Sequence, residues 1–536
     1  MDTPGPLLSR SPFGAGPPSL ERGLFVWGLV AAAAWRLRLS GRFAGWEESD
    51  YGNLAMIQGV LDGGFLHYDM NHMPGYYAMG AALHAVLDDA LWAGRSLDLI
   101  GGLVAWALAV QLARRLFGLP VAVISGLLLI VQPEFALYTG SQLREPVYTG
   151  ALMGCLSALI HGRLLLAGLL AALTFSVRFD AMFILPPLVL GALLGARPRP
   201  SPRALLGALL PLPLAIGAWS AYCSVEHGTW AFWSHSVEVN VETGLGAEHE
   251  DRGAWLRNGA RVAWGMAGHL LPWRIGWGVW IGLLVGLVRA PWRESGGVRT
   301  LHLAGLLLLG FWLSVGFVGQ HEPDHNLYWK WMYPLVPVLV PIGVAGLLGL
   351  LQALPARLGA APRVAVVALA LLQALASAHR ETERQVLRSV AWYQPQVDLA
   401  AWIEAQVPEQ DAVWVDNIPA CWLRRRPQER RMTSWYDIET QPEGDPVDLA
   451  RQLRAGEVRW VLWFAEGWTQ APRVAPALAA GGIIELDGVQ LIERAREDGY
   501  GWIFYQVAPP GPPPPLPAPL PALPPEVAAY AASQAR

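Results

Sequence analysis

Carboxylates set beside hydroxyl-bearing rings in one short stretch are the raw material of a proton-transfer site. Residues 46–77, WEESDYGNLAMIQGVLDGGFLHYDMNHMPGYY, supply Glu47, Glu48, Asp50, Asp62 and Asp69, with His67 and His72. The same stretch holds Trp46, Tyr51, Tyr68, Tyr76 and Tyr77. Glu47 and Tyr51, four residues apart, share a face if this stretch is helical. One of the carboxylates could accept a proton from a hydroxyl or amine as that group attacks a carbon centre. An ordinary acidic loop would hold the same residue types, so the stretch needs partners elsewhere in the chain.

Three later stretches offer them. Glu145 stands beside Arg144 in YTGSQLREPVY. An ionisable pair at membrane level points to function, and a solvated turn with Pro146 opening the next helix has the same signature. Arg178 and Asp180 mark a tight turn in TFSVRFDAMFILPP, and Lys330 precedes an apolar run in HNLYWKWMYPLVPVLVP. Arg178 and Lys330 could hold a phosphate or pyrophosphate leaving group, or simply snorkel at an interface. Lys330 is the only lysine beside 38 arginines, a bias that codon usage mostly explains. HEPDH, residues 321–325, has metal-ligand residue types. Pro323 breaks helical spacing and no second cluster completes a set, so neither a metal nor another cofactor is expected.

The elements that must position these residues are membrane helices. The 536-residue chain is 53% hydrophobic and 15% charged, against about 25% charged in soluble domains. Its apolar residues fall in blocks of about 17–25, the length of a bilayer-spanning helix. A soluble α-rich protein is excluded because so many near-uncharged blocks would have no water-facing side. The net charge of -4, without a basic patch carrying interleaved aromatics, gives no sign of nucleic acid. Cys155, Cys223 and Cys421 are too dispersed to predict a disulfide.

Residues 1–21 read as a disordered cytoplasmic tail. The first span is expected at 24–39, with Arg36 and Arg38 snorkelling to the interface. PGYYAMGAALHAVL, from Pro74, reads as a helix lying in the interface. Spans follow near 95–113, 119–138, 147–161, 164–178, 181–196, 204–222, 273–289, 301–318, 332–353 and 363–378, about eleven in all. The transmembrane domain is thus 22–378, with external loops 40–94 and 223–272. Alternate short loops are arginine-rich: Arg114 and Arg115; Arg163; Arg197, Arg199 and Arg203; Arg289, Arg293 and Arg299; Arg357 and Arg363. The positive-inside rule makes those loops cytoplasmic and turns the acidic opening stretch outward. Arg36, Arg38 and Arg42 vote the other way and are outnumbered. From 379 to 507 the pattern is soluble, with helices at VDLAAWIEAQVP and DLARQLRAG. Strands are expected at DAVWVDN, VRWVLWF, GIIELDGVQLIERA and GWIFYQV. This predicts a small extracytoplasmic α/β domain, followed by a proline-rich disordered tail, 508–536.

Taken in order, these features resemble the GT-C class of membrane glycosyltransferases. The nearest branch is that of the protein O-mannosyltransferases and the lipid A aminoarabinose transferases, glycosyltransferase family 39-like. EESDY stands where that branch opens its first outer loop with D-E-x-x-Y, giving Glu47, Glu48 and Tyr51. DGGFLHYDMNHMPGYY is similar to the following P-x-x-Y-Y-like element, and LARRLFG to the usual cytoplasmic helix end. QPEFALYTGSQLREPVY places Glu145 at the second acid. KWMYPLVPVL resembles R-Y-x-x-P-x-x-P, with Lys330 where arginine is usual. Two departures stand out. Glu47 replaces an aspartate, displacing the carboxylate by about one C–C bond, which keeps Glu48 and Asp50 open as the base. Met73 replaces a phosphate-binding lysine before the proline, with His72 one residue away.

The resemblance implies a polyprenyl-phosphate-linked sugar donor in the membrane, its phosphate at Lys330, Arg178 and Arg144. It implies a first-loop base, an unidentified acceptor on the outer side of the plasma or inner membrane, and inversion at the anomeric carbon. Glu145 would orient the acceptor or hold the first-loop residues, and Asp50, Tyr51, His72 and Tyr76 would line the site. A transporter or flippase of a lipid-linked saccharide is the alternative. The acids gathered on one face, and not at the midplane, weigh against it.

Overall fold

The structure is a computed structural model. It describes residues 18–42, 53, 56–57, 60, 73–140, 143–194, 200–226, 228–233, 252–288, 296–319, 330–353, 360–408, 411, 413–415, 433–434, 453–464, 475–486, 488–497 and 502–508. Glu47, Glu48, Asp50, Tyr51, His72 and HEPDH lie outside the described residues. The chain divides into two compact units, one holding the helices up to Val386, the other with its main part beginning at Leu387.

The first unit is helical. It opens with α1 (Pro18–Ser40), α2 (Pro74–Leu87), α3 (Ala90–Phe117) and α4 (Leu119–Val131). Pro74 starts α2 with a preset φ. Asp89 caps α3, its carboxylate accepting from Trp92 N at 3.0 Å. Gly118 alone separates α3 from α4, and its φ of 96° is one that L side chains rarely adopt. Gln132 ends α4 and caps α5 (Pro133–Leu137), accepting from Phe135 N at 2.6 Å.

Then come α6 (Glu145–Ile160), α7 (Leu164–Val177), α8 (Ala181–Leu194), α9 (Pro202–Leu209) and α10 (Pro211–Glu226). They are followed by α11 (Arg252–Gly265), a π-helical turn (Met266–Leu270), and α12 (Leu271–Ile275). The set ends with α13 (Trp277–Val288), α14 (Gly296–Gly319), α15 (Val336–Ala353) and α16 (Ala360–Gln406), of which the part from Leu387 belongs to the second unit.

Among the described residues, five helices are long and apolar enough to cross a membrane: Leu91–Phe117, Pro202–Glu226, Gly296–Val318, Val336–Ala353 and Val364–Ala391. Five further apolar helices have 10–17 residues. Small residues bring several of them into backbone contact, as bundles in lipid require. A Cβ on Gly101 of α3 would fall 2.7 Å from the backbone of Pro146 and Val147 in α6, and one on Gly150 would fall 2.8 Å from Gly101 O. Likewise a Cβ on Gly282 of α13 would lie 2.6 Å from Leu347 N in α15.

Two sequence expectations change. Arg36 does not snorkel. It is buried, donates to Ala32 O at 3.2 Å and Phe135 O at 3.3 Å, and lies 5.0 Å over the Phe135 ring. A five-residue helix such as α5 has carbonyls that its own donors cannot satisfy, and Arg36 takes one of them. The span at 363–378 and the amphipathic helix at VDLAAWIEAQVP form one helix, α16, of 47 residues. The charged residues after Ala378 do not break it, since Glu, Arg and Gln are good helix formers.

The second unit contains a six-stranded sheet of order β2-β1-β3-β6-β5-β4. Its strands are β1 (Val413–Val415), β2 (Thr433–Ser434), β3 (Trp460–Phe464), β4 (Ile483–Leu486), β5 (Val489–Glu497) and β6 (Trp502–Val507). β1 runs parallel to β2 and β3; the β3–β6, β6–β5 and β5–β4 pairs are antiparallel. Trp414, Val461, Trp463, Leu478, Leu491 and Tyr505 are among its core residues. The strands expected from alternating apolar residues at VWV, WVLWF and WIFYQV are present. GIIELDGVQLIERA forms the β4–β5 pair, with Gly488 at φ 81° in its turn.

Candidate active site

Glu145 is the first residue of α6, buried at 2% exposure. Arg178 follows the last residue of α7, and Asp180 precedes α8. The turn folds Arg178 back so that Nε donates to Asp180 Oδ1 at 2.9 Å and Nη1 donates to Glu145 Oε1. The guanidinium lies 4.1 Å from the centre of the Trp331 ring and 5.7 Å from that of Tyr148. One cation therefore sits between two carboxylates and against two aromatic faces, an arrangement that holds a charge away from water. The second oxygen of Glu145, Oε2, is buried and has no hydrogen-bond partner among the described residues. A buried, unsatisfied carboxylate oxygen is where an incoming donor would be received.

Lys330, half-buried, is joined directly to Trp331 and so stands at the edge of this cluster. Arg144 precedes Glu145 and is half-buried. Tyr333, two residues beyond Trp331, is fully buried; its ring packs on Phe135 at 4.9 Å and Tyr138 at 5.7 Å. A Cβ on Gly102 would lie 3.0 Å from the Tyr333 hydroxyl, so the glycine makes room for it. Tyr76 of α2 donates to Asp98 Oδ1 of α3 at 3.1 Å. The close Gly101–Gly150 approach, one turn from Asp98, seats α3 against the start of α6. Of the residues singled out from sequence, Glu145 and Arg178 are in contact, Arg144 and Lys330 adjoin Glu145 and Trp331 in the chain, and Tyr76 meets Asp98 on α3, which packs on the start of α6. The first-loop carboxylates lie outside the described residues.

Sequence reasoning missed Asp98, Glu134 and Arg274, each counted inside an expected span. The signal was available: an ionisable residue within an apolar stretch needs a partner. Asp98 is completely buried. Glu134 and Arg274 belong to a second buried cluster. Arg274 Nη1 lies 3.0 Å from Glu134 Oε1 and 2.6 Å from Glu381 Oε1. Glu381 also accepts from Arg384 Nη2 at 3.0 Å and from Gln385 Nε2 at 2.6 Å, and Gln132 donates to Glu134 Oε2. Arg274 sits on α12, directly after the π-helical turn, an irregularity frequent near functional sites. No group of three or more His, Cys, Asp or Glu poised for a metal occurs among the described residues.

Residues 71–220 match the family model described as dolichyl-phosphate-mannose-protein mannosyltransferase. A comparison with curated proteins gave no match. Among solved structures, ArnT from Cupriavidus metallidurans bound to undecaprenyl phosphate is similar over 91% of this chain and 98% of its own, at 14% identity and a TM-score of 0.56. The oligosaccharyltransferase of Archaeoglobus fulgidus in its apo form is similar over 84% of this chain and 70% of its own, at 12% identity and a TM-score of 0.51. The structural likenesses are likenesses of fold, and the family match covers α2 to most of α10. By both, the chain resembles the GT-C class of membrane glycosyltransferases.

Proposed function

We propose that this chain is an integral-membrane glycosyltransferase that moves a sugar from a polyprenyl-phosphate donor to an acceptor on the extracytoplasmic side, with inversion. The observation that carries the reading is Glu145: buried, held through one oxygen by Arg178, its other oxygen without a hydrogen-bond partner among the described residues, while Arg178 packs on the Trp331 that follows Lys330. The family match over residues 71–220 and the bound undecaprenyl phosphate of the similar ArnT support the donor class.

In this reading the acceptor oxygen or nitrogen attacks the anomeric carbon as its proton passes to a first-loop carboxylate, Glu47 or its rivals Glu48 and Asp50. The bond from that carbon to the phosphate oxygen breaks, and the electron pair leaves with the lipid phosphate. Lys330, with Arg144, stabilises the charge that develops there. Arg178 shares its charge with Glu145 and Asp180, so its larger role is to hold Glu145 in place for the acceptor. Asp50, Tyr51, His72 and Tyr76 line the site.

The test is transfer of labelled sugar from a polyprenyl-phosphate donor by the purified full chain. Glu145→Gln and Lys330→Met should each lower it, and Glu47→Gln, Glu48→Gln and Asp50→Asn, made singly, should identify the base. Transfer that survives the first two substitutions overturns the site. Lipid movement without transfer makes the chain a flippase.

A further inference from the structure

Far from this site, α1, α3 and α4 enclose a groove of about 920 Å³. Its walls are apolar, formed by Phe25 and Ala31 of α1, Trp106 and Val110 of α3, and Val123 and Leu127 of α4. Its charged residues, Glu21, Arg22, Arg114 and Arg115, belong to the first turn of α1 and the last of α3. Glu21 is taken up by Arg114, whose Nη2 and Nε lie 2.7 and 3.2 Å from its two oxygens. Arg22 and Arg115 are exposed, and the described residues of the mouth carry a net charge of two positive units.

The groove is a built feature. The Trp106 indole N–H donates to Gly126 O at 3.0 Å, and its ring meets Phe25 at 5.7 Å. A Cβ on Gly28 would fall 2.8 Å from Trp106, so α1 sits against that ring without a side chain between them. The lining runs from Glu21 to Ala31 on α1 and from Leu119 to Ile130 on α4. At the helical rise each wall is about 15 Å long, half of the roughly 30 Å hydrocarbon thickness of a bilayer. An apolar channel one leaflet deep, with cations only at one end, has the shape and charge of an anionic lipid. The mouth at Arg114 lies about 24 Å along α3 from Asp98, at the opposite end from the residues around Glu145.

We propose that this groove holds a membrane phospholipid with an anionic headgroup, its acyl chain along the α1–α3–α4 walls and its headgroup between Arg22 and Arg115. Basic pockets between membrane helices recognise anionic headgroups in this way. The bound lipid belongs to the leaflet at the arginine-rich helix ends and is distinct from the polyprenyl-phosphate donor.

Native mass spectrometry of the purified full chain, offered equal amounts of phosphatidylglycerol and phosphatidylcholine, tests this. Wild type should retain phosphatidylglycerol preferentially, by about fivefold for each arginine. Arg22→Ala with Arg115→Ala should remove the preference. Val123→Trp, which fills the apolar wall, should reduce retention of both lipids, and a thermal melt of each variant checks its fold. Equal retention by wild type, a preference that survives the double substitution, or displacement of phosphatidylglycerol by polyprenyl phosphate at these two arginines overturns the proposal. The readout needs no catalysis, so it stands or fails separately from sugar transfer.

Discussion

Two buried clusters in the helical unit have the same composition, two carboxylates on one arginine, and differ in where the partners come from and in how many contacts the carboxylates make among the described residues. Around Arg178 the partners come from consecutive helices, α6, α7 and the turn before α8. Around Arg274 they come from segments far apart in the chain, α5, α12 and α16. Glu381 is contacted by Arg274, Arg384 and Gln385, and Glu134 by Arg274 and Gln132. Among the described residues Glu145 has Arg178 alone, and its buried Oε2 has no hydrogen-bond partner. Burying charge is costly unless it is paired and hydrogen-bonded. The Arg274 cluster joins distant segments, and on the proposed reading the Glu145 cluster is the one that receives a ligand.

That comparison can be broken at its strongest point. Arg274→Met should destabilise the full chain by about 3–5 kcal/mol, because it strands two buried carboxylates. Adding Glu134→Gln and Glu381→Gln should recover much of the loss, read as the melting temperature in detergent. A single variant that melts like wild type yet fails to transfer sugar would make the second cluster a ligand site and erase the contrast. Glu145→Gln should do the reverse. Sugar transfer should fall by about 10²–10³-fold, as for loss of one positioned catalytic group, with little change in melting temperature. Trp331→Ala removes a face from the Arg178 guanidinium and should cost about 0.5–2 kcal/mol, seen as a lower melting temperature and slower transfer. Lys330→Met should act on the donor more than on the fold, with the larger change in KM for the polyprenyl-phosphate sugar.

The smallest effect belongs to the sheet. Tyr505 is buried there and its hydroxyl donates to Leu478 O. Burial pushes its phenol up to about 12, above the usual value of about 10. The neutral form is the one the fold favours. Its contribution is fully present below pH ~10 and is lost as pH rises towards 12. Tyr505→Phe should cost about 1 kcal/mol and remove the corresponding step from an ultraviolet difference titration of the two full-length proteins.

Much of the candidate site was legible because its residues lie at the ends of apolar runs. Glu145, Arg178 and Lys330 each interrupt or border a hydrophobic block, where a charge is conspicuous. Asp98, Glu134 and Arg274 were less conspicuous because a single charge barely changes the mean hydropathy of a 20-residue block. Arg36 shows the same limit from the other side. A cation near a helix end reads as snorkelling, yet the carbonyl of Phe135, from a different segment, draws it inward.

By itself the sequence determined the class of structure and its punctuation. Apolar blocks of bilayer length dictate helices, Pro74, Asp89, Gly118 and Gln132 set where helices start or stop, and period-two alternation dictates the strands of the sheet. Only the tertiary structure decided which charges meet. Glu145 could have paired with the adjacent Arg144 but is joined to Arg178, because the turn after α7 and the close α3–α6 seam place that guanidinium at its carboxylate. Pairing in a low-dielectric interior is decided by distance and geometry in space, and neighbourhood in the chain fixes neither.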